Sequence, residues 1–183
     1  MRRNPIALAV LLVLLAAYVY FFELAKTGPE KNEKLFNFKS DEATGVALAY
    51  PGREIELKKD GQGRWRLVQP MQAPADAAAV QSLLGALGAG DVKRTLEKKP
   101  APEDLKNFGL DPPAVKVSLS LKSGLTLPAL LVGGKTPAGD SAYVQRGGDP
   151  AVYLTDGSLA FALEKEPNDF RDRTADSVGE EKK

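Results

Sequence analysis

From Pro5 to Phe22 the chain holds 18 residues without a charge. A helix rises 1.5 Å per residue, so this run spans roughly 27 Å, close to the ~30 Å hydrocarbon core of a bilayer. It divides the chain into an apolar segment and a mostly polar remainder that must fold on its own. Arg2 and Arg3 precede the run, and basic flanks stay on the cytoplasmic side. On the far side, Glu23 and Lys26 leave the flank neutral. Tyr18, Tyr20, Phe21 and Phe22 cluster there, where aromatic rings suit a membrane–water interface. The expectation is a single-pass signal anchor over residues 1–25, amino terminus inside and the remaining domain extracytoplasmic. The competing reading is a cleaved signal peptide. The run is long for a signal core, and its small-residue sites are poor. Leu15 and Ala17 flank a cut before Tyr18, and Glu23 and Ala25 flank one before Lys26. With no Gly and no Ala pair four apart, the run lacks a close-dimerisation motif. It carries no intramembrane charge for an ion path.

The 183 residues leave room for one ordinary domain beyond the anchor. A net charge of +1 gives no general attraction to nucleic acid. The chain has no Cys, which excludes disulfides, thiolate nucleophiles, thiolate metal sites and lipids attached to cysteine. It also has no His, which removes the commonest general base and transition-metal ligand. Ser-His-Asp and Cys-His catalysis are impossible within this chain, so an enzyme here would have to run on carboxylates, Lys or Tyr.

Residues 26–42 read as a polar linker interrupted by Leu35, Phe36 and Phe38. Strands are expected over Gly45–Tyr50, Glu54–Lys59 and Arg64–Val68, joined by Pro51-Gly52 and by Asp60-Gly61-Gln62-Gly63. Asp76 is the expected N-cap of a helix with Val80, Leu83, Leu84 and Leu87 along one stripe; Gly88 and Gly90 end it. A strand is expected over Asp91–Leu96 and a short helical turn over Glu103–Phe108, stopped by Gly109. Pro112-Pro113 sets an extended entry to the next strand. There Val115, Val117, Leu119 and Leu121 alternate with polar residues. After Ser123-Gly124 the alternation returns through Leu125, Leu127, Ala129 and Leu131, with Pro128 marking an edge or a bulge. Strands over Ser141–Arg146 and Ala151–Leu154 follow, then a short helix capped by Asp156-Gly157-Ser158. Residues 43–173 thus form the domain, and the charged segment 174–183 reads as a disordered tail. Without regular βαβ alternation the class is α+β: a transmembrane helix, then a mostly antiparallel sheet with one main covering helix.

Four segments in order form a wider pattern. The first is Gly63-Arg64-Trp65-Arg66-Leu67-Val68-Gln69-Pro70, leading to Pro74-Ala75-Asp76. The second is Leu105-Lys106-Asn107-Phe108-Gly109-Leu110-Asp111-Pro112-Pro113. The third is Val132-Gly133 with Tyr143-Val144 and Val152-Tyr153-Leu154, and Phe170-Arg171-Asp172-Arg173 closes the series. From about Gly45 to Arg173 this order resembles the bacterial envelope family called domain of unknown function 4340. The resemblance implies an α+β domain behind a single anchor in the cytoplasmic membrane. It also implies a neighbourhood with ABC transporters of the gliding-motility auxiliary type. It carries over no catalytic residue. Longer members continue into a second copy of the unit, where this chain stops. The signature residues themselves read as structural, with Trp65 in the core and Gly109 ending a helical turn.

The remaining motifs argue against chemistry. Gly133-Gly134-Lys135-Thr136 looks like the end of a phosphate-binding loop. However, Ala129 stands where that loop needs Gly, and Pro137 follows, so the segment reads as a β-turn and not a nucleotide site. Glu164, Glu166, Asp169 and Asp172 match no EF-hand spacing and interleave with Lys165, Arg171 and Arg173, so no metal is expected. Lys93, Arg94, Lys98 and Lys99 read as ordinary strand-end charges. The expected function is a non-enzymatic, membrane-anchored accessory subunit without a cofactor. Its outer domain would bind a partner protein in an ABC-transporter assembly, with a sheet edge near Leu125–Val132 as one docking possibility. The alternative is a stand-alone envelope glycan- or lipid-binding module, with Tyr143 and Tyr153 as candidate groove aromatics, at least one of which alternation buries.

Overall fold

The computed structural model describes Tyr18 and residues 33–173. The chain divides into two compact units, Met1–Asn32 and Glu33–Lys183. Within the first only Tyr18 is described, as a helical, exposed residue. Arg2, Arg3, Tyr20, Phe21 and Phe22, like residues 174–183, lie outside the described residues. No helix among the described residues is long and apolar enough to cross a membrane.

Among the described residues nine strands form one sheet, antiparallel at every pairing. They are β1 (Ala43–Tyr50), β2 (Arg53–Lys59), β3 (Trp65–Gln69), β4 (Ala73–Pro74), β5 (Arg94–Glu97), β6 (Val115–Leu121), β7 (Leu130–Lys135), β8 (Ser141–Arg146) and β9 (Val152–Asp156). Their spatial order is β4-β3-β2-β1-β6-β7-β8-β9-β5. Alternation assigns the two faces: Val46, Leu48, Ile55, Leu57, Leu67 and Val117 point inward, while Glu54, Lys58, Lys116 and Ser120 face water.

Helix α1 (Ala77–Ala89) covers the inner face. Asp76 caps it, accepting from the Ala78 and Ala79 amides, and Val80, Leu83, Leu84 and Leu87 are its buried stripe. Helix α2 is Pro102–Asn107, and α3 is Gly157–Ala162, capped by Asp156. A 3-10 helix, Pro167–Phe170, ends with Phe170 fully buried. Trp65, Leu119, Leu130 and Leu163 join the same core, where each fully buried large apolar side chain contributes about 1.5–3 kcal/mol.

Several expectations are corrected. Leu35 and Phe36 are core residues, so the domain begins inside the 26–42 linker. Gly88 lies within α1. Gly90 caps it at φ −54, not in the left-handed region; a Cβ there would sit 3.3 Å from Leu35 and 3.4 Å from Leu159. Packing, not handedness, calls for that glycine. The strand expected over Asp91–Leu96 is Arg94–Glu97, because Asp91 bridges Lys34 instead. Asp111-Pro112 is a cis bond within a turn closed by a Leu110–Pro113 bridge, not an extended entry.

The return strand after Gly124 is out of its expected register. Ser120 faces Thr126 and Val117 faces Leu130, so three steps along β6 oppose four along the return. One extra residue next to Pro128, which cannot donate to the ladder, turns the alternation over. Leu130 and Val132 are therefore buried, Leu131 is half-buried, and Leu125 is 57% exposed. Of the docking edge expected near Leu125–Val132, the part from Leu130 to Val132 belongs to β7, which lies between β6 and β8 and is no edge. The sheet's edges are β4 and β5, and an isolated bridge lies next to each: Lys34 with Asp91 just before β5, and Ala75 with Arg171 just after β4.

Candidate functional site

Residues 133–135 form no turn; they end strand β7. Val132 pairs with Val144 and Lys135 with Ala142, so three steps on β7 oppose two on β8. This is a β-bulge, and its glycines have a steric cause. The Phe108 carbonyl after α2 presses so close that a Cβ on Gly133 would lie 2.2 Å from it, while the Gly134 amide donates to the same oxygen at 2.9 Å. Gly109, at φ +67, lets the chain turn away at that point. The bulge brings Lys135 to the side of the sheet carrying α3, where its Nζ lies 2.6 Å from a Glu164 oxygen.

A cleft of about 470 Å³ opens beside this bulge. Val115, Val132, Ala160 and Leu163 supply its apolar floor, and Ala114 stands at its exposed side. Its rim carries two ion pairs, Lys135–Glu164 and Arg53–Glu166. The Arg53 guanidinium also lies 4.4 Å over the Tyr50 ring, and the Tyr50 hydroxyl donates to the Leu163 carbonyl at 2.6 Å. Burial pushes Tyr50 above the ordinary tyrosine range, against the opposing pull of the Lys165 backbone and of Arg53. The cleft thus offers apolar contact inside a neutralised rim. It holds no His or Cys, and its two carboxylates are already matched to cations.

A second hollow, about 320 Å³, lies on the sheet face opposite the core. Tyr143 pairs across the ladder with Leu154, and its ring stacks on Phe108 at 4.7 Å with a 35° tilt. Leu96, Glu97 and Asp104 complete the lining. Tyr153, one residue from Leu154, points the other way. It is 8% exposed, its hydroxyl donates to Asp149 at 2.5 Å, and the Arg146 guanidinium covers its ring at 4.9 Å. That hydrogen bond raises Tyr153 and lowers Asp149 relative to their usual ranges. Arg146 also reaches Glu33 at 2.7 Å, fastening the start of the domain to β8.

The expected signature residues do not converge on one site. Trp65 is buried, with Lys59 5.0 Å over its ring, and its carbonyl accepts from Ala75, which bridges Arg171. Pro70 follows a cis bond at the end of β3, and Leu110 is buried beyond Gly109. Pro112 sits in the exposed turn. Trp65 and Arg171 are joined through Ala75, and Gly109 and Tyr143 through Phe108. The sequence reading missed Tyr50, Arg53 and the bulged Lys135. The Gly133-Gly134 pair was the available signal for the bulge. Among the described residues no cluster of acids fit for a metal ion occurs: Glu164 and Glu166 are paired, and Asp169 accepts from the Glu166 amide. Lys93 pairs with Asp156 at 2.7 Å, and its ammonium holds that carboxyl well below the usual range.

The family model "Domain of unknown function (DUF4340)" matches residues 65–180, a span that begins at the first residue of β3 and takes in the signature segments from Trp65 to Arg173. The chain belongs to this family. No curated protein and no solved structure matches it.

Proposed function

We propose that this member of the domain of unknown function 4340 family is a non-enzymatic accessory subunit, anchored in the bacterial cytoplasmic membrane by residues 1–25. Its extracytoplasmic domain binds a partner protein, a component of an ABC-transporter assembly. The observation that carries this reading is the cleft beside β7: an apolar floor under a rim of mutually neutralised charges. Such a lining receives an apolar side chain and keeps the entering group oriented, but it supplies no free base or nucleophile. A single anchor adds effective concentration near membrane partners.

The test is detergent co-purification of the full chain with quantitative mass spectrometry, against a control carrying only the anchor. Transporter components should be enriched. Ala114→Trp, which fills the cleft from an exposed position, should remove them. Failure of any transporter component to rise above the control ends the proposal, and unchanged enrichment with Ala114→Trp removes the cleft from it.

A stand-alone glycan- or lipid-binding module is the second reading. Half-exposed Tyr143 stacked on Phe108 favours it, whereas the burial of Tyr153 takes away the other candidate aromatic. Binding of the full chain to purified envelope polymers, with no enriched protein, is the outcome that favours it.

A further inference from the structure

Three hollows among the described residues differ in one respect. The cleft beside β7 sets Arg53 and Lys135 against Glu164 and Glu166. The hollow at Trp65 sets Arg64 and Arg66 against Asp60 and Asp172. The hollow at Tyr143 carries only Glu97 and Asp104, with no cation in its lining. Neither carboxylate has an ion-pair partner among the described residues. Lys98, Lys99 and Lys106 stand next to them in sequence, but all three are exposed and none lines the hollow.

The remaining surface suits a flat cation. Phe108 and Tyr143 present a tilted aromatic pair, half-buried, flanked by half-buried Leu96 and Leu154. The negative face of an aromatic ring attracts a cation, most strongly where water is partly excluded. Each carboxylate keeps one oxygen uncommitted. Asp104 uses Oδ2 to accept from the Ala101 amide at 3.0 Å, and Glu97 uses Oε1 toward the Lys99 amide at 3.3 Å. A guanidinium stacks on an aromatic face and donates in its own plane to carboxylates at the rim, which an ammonium does less well.

We infer that this hollow is an anchor pocket for an arginine side chain of a partner protein. The inference rests on the partner-binding reading above and adds a second, charge-selective contact on the opposite face of the sheet. It accounts for a negative lining inside an otherwise balanced chain of net charge +1.

The probe is N-acetyl-arginine amide, titrated into the isotope-labelled full chain in detergent micelles and followed by NMR. Tyr143 ring and Leu96 and Leu154 methyl signals should shift saturably, and added salt should weaken the binding. The citrulline analogue, equal in shape and neutral, should bind about tenfold more weakly or not at all. Glu97→Gln with Asp104→Asn should abolish the preference while keeping a side-chain acceptor for the Ala101 amide. Equal shifts from citrulline, or no saturable shift at these residues, overturn the pocket. Shifts from N-acetylglucosamine without arginine binding overturn it in favour of a sugar subsite. Because this titration uses no partner, its failure leaves co-purification through the β7 cleft standing. Loss of co-purification with intact arginine binding condemns only the transporter reading.

Discussion

Lys135 meets Glu164, 2.6 Å between Nζ and Oε1, because the bulge two residues earlier turns β7 by one position. Without the extra residue Lys135 would alternate onto the opposite face, and the cleft would lose half of its charged rim.

Gly133→Ala tests the origin of that bulge. The added Cβ would lie 2.2 Å from the Phe108 carbonyl and 3.1 Å from Gly109, both backbone, so the neighbours cannot simply rotate away. The expected loss is roughly 2 kcal/mol or more in urea unfolding. Gly134→Ala, whose Cβ would have 3.7 Å of clearance, should cost well under half of that. Equal losses would show that the close approach is not what selects glycine.

The register of β7 is open to a paired test. Leu130 is fully buried and Leu131 half-buried, opposite to the simple alternation from Leu125. Leu130→Ala should cost about 2–5 kcal/mol, and Leu131→Ala less than half as much. The reverse order in chemical denaturation would restore the sequence-based register.

The rim should be weak in salt-sensitive terms and firmer at Tyr50. Both ion pairs involve side chains more than a third exposed, so Lys135→Met should change stability by no more than ~0.5 kcal/mol, less still at high salt. Tyr50→Phe removes a half-buried hydrogen bond and should cost about 1 kcal/mol. It should also remove an alkaline effect. Tyr50 holds its proton more tightly when folded, so its contribution is complete below pH ~10 and fades as pH rises through the higher folded value. Unfolding midpoints measured from pH 8 to 11 check this, and an unchanged alkaline slope in Tyr50→Phe would contradict it.

Acid acts through Asp156. Its folded value is depressed by Lys93 and by the Ser158 amide it caps, so its stabilisation is present above the ordinary carboxylate range and drains away as pH falls below about 4. Asp156→Asn retains a capping acceptor but cannot titrate. Its stability should fall less steeply between pH 4 and 2 than that of the parent chain, as read by thermal unfolding across that range. Parallel slopes would mean that other carboxylates, Asp60 and Asp149 among them, carry the acid response.

Much of the fold was legible because its signals are local. The Asp76 cap, the Val80–Leu87 stripe and the inward Val115–Leu119 positions depend on spacing alone, and all three match the structure. The candidate site was not legible in the same way. Tyr50 and Arg53 are far in the chain from Lys135 and Glu164, and no local period relates them. Leu35 and Phe36 were read as linker because a short apolar pair in a charged stretch carries no sign of what will cover it.

The sequence by itself determined the apolar run from Pro5 to Phe22, the absence of His and Cys chemistry, the α+β class and the family, since each follows from composition, periodicity or ordered motifs. Only the tertiary structure decided which way the residues after Pro128 face and that Gly133-Gly134 is a bulge. It also decided which charges neutralise each other and that Glu97 and Asp104 line a hollow that has no cation in its lining. Those outcomes depend on one-residue shifts between paired strands and on carbonyls arriving from distant loops, and such relations exist only once the strands have met.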